Sequence, residues 1–365
     1  MRVLFLVSES RWSARARAFT LAARGLRARG HEVLIACESS CPVQVRVAEA
    51  EVEHVTLQPD ASAAGDTWQL RKTLQDHETE VVFVHSPEEL LVATSAIRLA
   101  RGDGVVIQRV PPFEAVETGR GSRLATKIAP TGLLFSTEAD LAAADSSSHR
   151  IPSAVAPLSV DPADHERARE ITKASLGAPA GARLIVCVHD GTTNHRVLTA
   201  MRTLSLLQPR HPDLHLVILG ATRLDELRMH GASLGINASV TYAGATESEL
   251  SIIRAADVGW IAAEGDAGAF AALDFMAFGT ALLAERSPLT EHYVADGIAG
   301  VLLATADQLT TAAAVAAFLA RDQQRLAMGN AGRARLKREF TYDAMIRGFE
   351  QAMSGAPQRS PQTVA

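Results

Sequence analysis

The chain has 365 residues, 47% of them hydrophobic and 21% charged. That length suits two α/β domains, because a single core rarely grows past about 250 to 300 residues, and the apolar fraction excludes wholesale disorder. A formal net charge of -5 excludes a nucleic-acid binder that neutralises phosphates over its whole surface. Cys37, Cys41 and Cys187 are odd in number and lack paired C-x-x-C spacing, so they imply neither a disulfide framework nor a structural metal and read as small buried hydrophobes.

The first apolar run, 3–7, is shorter than a signal-peptide core and far short of the roughly 20 residues of a membrane span. It reads as a buried first strand in a cytoplasmic protein. A polar loop and a helical pattern over about 12–29 follow, ended by Gly30-His31. Further buried strands are expected at 32–36, 81–84, 105–108 and 132–136. Continuous apolar runs separated by helices predict a parallel sheet covered on both faces.

The second half repeats the plan, with strands expected at 183–188, 214–220, 240–242, 258–262, 280–284 and 300–303. The fold class is therefore α/β, with two Rossmann-like doubly wound parallel-sheet domains. Between the halves, 151–162 carries Pro152, Pro157 and Pro162 and reads as the crossover. Domains are expected at 1–160 and 161–340, with a disordered tail at 356–365, where Pro357 and Pro361 stand among polar residues with nothing to bury.

Several segments carry a family resemblance. Leu26 with Gly30-His31-Glu32-Val33 resembles L-x-x-x-G-H-E-V, and Ala255-Ala256-Asp257-Val258 resembles A-A-D-V. The run from Glu264-Gly265-Asp266 through Asp274-Phe275-Met276-Ala277-Phe278-Gly279-Thr280 resembles E-G-F-G-x-x-x-x-E-A-M-A-x-G-T. Glu291, Asp296-Gly297 and Gly300 follow in the order of its P-E-x-V-x-D-G-x-x-G ending. These are motifs of the retaining glycosyltransferases of family 4, and the resemblance covers nearly the whole chain.

The resemblance implies the GT-B architecture, with 1–160 as an acceptor-side domain, 161–340 as a nucleotide-sugar domain, and a helix over 341–355 crossing back to the first domain. It implies a nucleotide-sugar held between the halves and its sugar moved to an unidentified acceptor, with retention at the anomeric carbon. Neither metal nor cofactor is implied. The acceptor hydroxyl would attack on the face the phosphate leaves, and the phosphate oxygen would take its proton.

Residue by residue, the motif puts Asp266 at the carboxylate facing the sugar and Asp274 at the one receiving ribose hydroxyls, with Glu264 as the alternative to Asp266. Each also reads as a loop or helix-cap residue. A helix start at Gly268-Ala269-Phe270 would offer unpaired N–H groups to a diphosphate, and Glu291 lies in the matching block. In the loop after strand 183–188, the Arg and Lys of the motif are replaced by Asp190 and His195, leaving Arg196 and Asn194 to meet phosphate. Arg196 reads equally as a surface arginine.

In the first half, Ser8-Glu9-Ser10-Arg11-Trp12-Ser13-Ala14 replaces a glycine-rich loop. Trp12, next to Ser13, reads as a stacking wall for a sugar or a staple at the helix start. His85 and Arg109 follow strands at their carboxyl ends, where open α/β sheets bind ligands, His85 being the catalytic candidate; each also reads as an ordinary loop residue. Arg11, Arg15, Arg17, Arg24, Arg27 and Arg29 suit either an anionic membrane face or an ordinary amphipathic helix. Against a transferase stands a binding or scaffold protein that kept the fold and lost catalysis.

Overall fold

The computed structural model describes residues 1–59, 62–116, 119–145, 151–191, 195–220, 223–304 and 307–355. Asn194 and the tail 356–365 lie outside the described residues. The chain divides into two compact units, Met1–Leu158 joined by the segment from Tyr342, and Ser159–Thr341.

The first unit runs β1 (Arg2–Val7), α1 (Ala14–Ala28), β2 (Glu32–Glu38), α2 (Pro42–Glu49), β3 (His54–Leu57), α3 (Ala63–Asp76), β4 (Val81–Val84), α4 (Pro87–Ala100), β5 (Val105–Arg109), α5 (Arg120–Ile128), β6 (Thr131–Phe135), α6 (Glu138–Asp145) and β7 (Ser153–Val155). The strands form one sheet in the order β3-β2-β1-β4-β5-β6-β7, every pairing parallel. Strand order reverses between β1 and β4, which opens a crevice at their carboxyl ends.

The second unit runs α7 (Pro162–Arg167), β8 (Arg183–Val188), α8 (His195–Leu207), β9 (Leu214–Leu219), α9 (Leu224–Ser233), β10 (Val240–Gly244), α10 (Glu249–Arg254), β11 (Val258–Ile261), α11 (Gly265–Phe278), β12 (Leu282–Glu285), α12 (Pro288–Val294), β13 (Gly300–Leu303), α13 (Gln308–Leu319) and α14 (Asp322–Glu339). Its parallel sheet has the order β10-β9-β8-β11-β12-β13. Here the order reverses between β8 and β11. Trp260 of β11, 1% exposed, sits in a core built from Ile185, Met201, Ile218, Leu283 and Val315.

The last helix, α15 (Tyr342–Gly355), belongs to the first unit. Its Phe349 ring lies 5.1 Å from Phe83 and 6.0 Å from Phe5, and the Tyr342 hydroxyl donates to the Leu21 carbonyl at 2.6 Å. Gly25 of α1 makes this approach possible, since a Cβ there would lie 2.2 Å from Ile346 Cδ1. Arg29 closes the contact through ion pairs with Asp343 and Glu350.

Three local readings change. α1 begins at Ala14 rather than Trp12, because Ser13 is extended and its Oγ accepts from the Ala16 N–H at 3.1 Å. β3 was not expected from the sequence, because its half-exposed residues break the apolar run. β7 lies inside the segment read as crossover, where three residues on a sheet edge tolerate the neighbouring Pro152.

Candidate functional site

At the carboxyl edge of the second sheet, four connections bring charged groups into one corner. Asp190 follows β8 by two residues, Arg196 stands in the first turn of α8, Glu264 precedes α11 and Glu285 ends β12. Arg196 Nη2 lies 2.9 Å from Glu264 Oε1, and its Nε lies 3.7 Å from Glu285 Oε2. The Glu264 backbone N–H donates to Asp190 Oδ2 at 3.0 Å. His195 is close as well, its Nδ1 4.0 Å from Glu285 Oε2.

The helix start differs from the sequence reading. Glu264 is extended (φ -115°, ψ 175°) and serves as the N-cap, and Gly265 takes a positive φ of 50° that favours glycine. α11 therefore begins three residues ahead of Gly268, whose N–H already donates to the Glu264 carbonyl at 3.0 Å. Gly268, Ala269 and Phe270 are buried within the helix and do not form its open end. The structure gives Gly268 a packing reason, since a Cβ there would lie 2.5 Å from the Ala263 carbonyl oxygen.

Asp266 lies in the first turn of α11 and is 5% exposed. Asp274 is two turns further in, 1% exposed, with Oδ1 2.8 Å from His165 Nε2 of α7. The other ring nitrogen of His165 faces the Asp161 carbonyl at 3.1 Å. Glu291, on α12, is half exposed and pairs with Arg286, whose other nitrogen reaches Asp296 at 2.5 Å. These pairs raise the Arg286 pKa through its hydrogen bonds to Glu291 and Asp296. Among the described residues no group of three or more His, Cys, Asp or Glu side chains is placed to hold a metal ion.

In the first unit a second polar cluster gathers at the carboxyl ends of β1, β4 and β5. The Glu89 carboxylate, 5% exposed, accepts from the Ser8 N–H at 2.9 Å, the Ser8 hydroxyl at 2.7 Å, the His85 N–H at 2.8 Å and the Ser86 N–H at 3.2 Å. It thus ties the loop after β1 to the capping box of α4. Burial pushes its pKa up, and the four donors pull the other way.

His85 stacks on Phe19 with ring centroids 3.6 Å apart, and its Nε2 faces the Arg15 carbonyl at 3.0 Å. A carbonyl only accepts, so Nε2 carries the proton and the buried Nδ1, which has no hydrogen-bond partner among the described residues, carries the lone pair. Burial, with the charge of Arg109, holds its pKa well below the ordinary 6.5. Arg109 is 1% exposed and donates to the Ser136 hydroxyl at 3.1 Å. Ser13 is occupied as the cap of α1, and Trp12 beside it is half-buried.

With this geometry in place, the chain can be set beside known proteins. Residues 168–335 match the model of the glycosyl transferases group 1. The second unit carries a group 1 glycosyltransferase domain. That domain holds the whole Asp190, Arg196, Glu264 and Glu285 corner. D-inositol 3-phosphate glycosyltransferase of Corynebacterium kroppenstedtii is 25% identical over 206 residues, 54% of this chain and 46% of that protein. The protein of the same name from Corynebacterium urealyticum is 29% identical over 173 residues, 45% of this chain and 41% of its own length. The chain thus spans less than half the length of the curated relatives it matches.

Among solved structures, Anabaena Alr3699/HepE in complex with UDP and glucose superposes with a TM-score of 0.77 at 15% identity, covering 97% of this chain and 99% of that one. The likeness shows the fold, which is the two-unit GT-B type. Two residues of the second unit, His165 just ahead of the matched stretch and Glu285 within it, stand at the centre of the geometry without a motif to announce them. His165 comes 109 residues before its partner Asp274, and Glu285 ends a strand read only as apolar.

Proposed function

We propose that this protein is a glycosyltransferase that moves a sugar from a nucleotide-sugar to an acceptor, with retention at the anomeric carbon and without a metal or a cofactor, in the cytoplasm. The corner of the group 1 domain where Arg196 meets the amino end of α11 carries the reading. A helix start and a guanidinium are the groups that stabilise a diphosphate and the charge it gains as it leaves. The curated relatives are named as glycosyltransferases, and the Anabaena neighbour was solved with UDP and glucose. Both support a sugar nucleotide as the ligand.

In this reading Arg196 and the first N–H groups of α11 hold the diphosphate, and Asp266, in the first turn, faces the sugar. The leaving phosphate oxygen takes the proton of the acceptor hydroxyl. Asp274 reaches the ribose only if its surroundings shift, because it is 1% exposed and its Oδ1 already faces His165 Nε2 at 2.8 Å. His85, Arg109, Trp12 and Ser13 are the acceptor-side candidates of the first unit. Membrane contact through α1 has less support, since Arg29 is held by Asp343 and Glu350 and Arg15 lies within 4 Å of Glu9 and Glu114.

One observation favours a second reading, a binding protein that kept the fold. Asp190 stands where the resembled family has a cation, and it accepts a backbone N–H at the start of α11. Calorimetric titration with UDP, GDP, ADP and their sugar conjugates separates the two readings, repeated on Asp274→Ala and Arg196→Ala. Binding of one nucleotide, weakened in the folded variants, supports the transferase and justifies an acceptor screen. Absence of binding to all of them favours the second reading.

A further inference from the structure

The corner around Arg196 has the parts of an anion site, and the chain fills them with its own carboxylates. α11 is a helix of 14 residues whose first N–H groups form a positive end. Its N-cap side chain makes no capping hydrogen bond. Instead the Glu264 carboxylate turns to Arg196 at 2.9 Å, and the Glu264 N–H is taken by Asp190 at 3.0 Å. One guanidinium therefore stands between Glu264 and Glu285, with Asp190 on the Glu264 N–H and Asp266 in the adjoining turn.

A second observation points to a missing ligand. The Glu285 side chain is 6% exposed, and its buried Oε1 has no hydrogen-bond partner among the described residues. A buried carboxylate oxygen without a donor is costly, so the corner is one donor short as it stands. A hydroxyl carried by a ligand on Arg196 would supply it.

We propose that this corner is a self-occupied anion site for a hydroxyl-bearing diphosphate, in which Glu264 is a displaceable internal competitor and Asp190 a fixed one. The proposal deepens the sugar-nucleotide reading and, for the identity of the ligand, rests on it. The Glu264 side chain is 64% exposed, so its carboxylate returns to water at small cost when a phosphate takes its place on Arg196. Phosphate then gains a charge-assisted pair with the guanidinium. Asp190 is 13% exposed and hydrogen-bonded to backbone, so it stays and repels the incoming charge. Together the two carboxylates hold diphosphate affinity down.

The test is calorimetry on the full chain with inorganic pyrophosphate, uridine, UDP, GDP and ADP. It compares the wild type with Glu264→Gln, Asp190→Asn and the double variant Glu264→Gln/Arg196→Ala. Removing one carboxylate charge at this range is expected to tighten pyrophosphate about tenfold. The gain should vanish in the double variant, and uridine should bind all forms alike. Glutamine at exposed position 264 and asparagine at 190, which keeps an acceptor oxygen for the Glu264 N–H, are expected to leave thermal unfolding unchanged. Pyrophosphate bound no more tightly by the folded single variants than by the wild type would overturn the proposal, even if UDP still bound and the transferase reading stood. A gain for pyrophosphate with no nucleotide bound by any form would keep the self-occupied site and remove the sugar nucleotide as its ligand.

Discussion

His165 Nε2 lies 2.8 Å from Asp274 Oδ1, joining α7 to α11 with the two side chains 7% and 1% exposed. The carboxylate that the family resemblance assigns to ribose hydroxyls is thus already engaged inside the second unit. Removing one partner of a buried polar pair is far more costly than removing both, because the other is left without solvent. His165→Ala is expected to lower stability by about 3 kcal/mol. His165→Phe keeps a ring beside Phe278, 5.0 Å from the imidazole, and isolates the loss of the hydrogen bond. Urea unfolding of both decides it: a Phe variant as stable as the wild type would mean that the pair adds no net stability.

Gly268 offers a test of packing against ligand binding. A Cβ at this position would sit 2.5 Å from the backbone oxygen of Ala263, and backbone cannot turn aside as a flexible side chain does. Gly268→Ala is therefore expected to cost roughly 1 to 3 kcal/mol by overpacking, seen as a lower thermal midpoint without any ligand. An alanine variant with unchanged stability but weakened nucleotide binding would return Gly268 to the ligand site.

The buried strands were legible in the sequence because a parallel sheet covered on both faces demands unbroken apolar runs, as in β1, β4 and β8. β3 was not, since an edge strand with one fully buried residue leaves little pattern. The start of α11 was misplaced because its N-cap is a glutamate, a residue type outside the usual capping set, with a positive-φ glycine after it. Glu264 stands inside the resembled block, whereas Arg196 falls one place beyond the motif's cation position, so spacing alone leaves it as readily a surface arginine as a phosphate ligand. The pairing of His165 with Asp274 was not, because it depends on the fold bringing a short helix after the crossover against a helix 109 residues later.

The cysteines give a chemical check on the two cores. Burial pushes the Cys37 thiol up to about 12, with Cys41 adding to the rise, and burial alone raises Cys187 still further. Cys41 is 6% exposed and its Sγ–H donates to the Glu38 carbonyl at 3.1 Å. The thiolate is the reactive form, so a thiol reagent at pH 8 is expected to leave all three unmodified in the native protein over minutes and to label all three in denaturant. Fast labelling of Cys187 in the native state would contradict the packing of β8.

His85 sets a pH dependence whose sign follows from its burial. Its folded-state pKa is held well below 6.5 by desolvation and by Arg109, so below about pH 6.5 the unfolded chain takes up a proton that the folded chain refuses. The contribution of a neutral His85 is present above that pH and is lost as pH falls. The slope is about 1.4 kcal/mol per pH unit for one proton. Glu89 acts in the opposite direction, because burial raises its pKa above 4.5 and its contribution falls as pH rises through the raised value. Denaturant unfolding between pH 5 and 8 on the wild type and His85→Gln, which keeps a donor for the Arg15 carbonyl, separates the two. The wild type is expected to lose stability more steeply than the variant as pH drops below 6.5. Equal slopes would mean that His85 takes up its proton in the folded state.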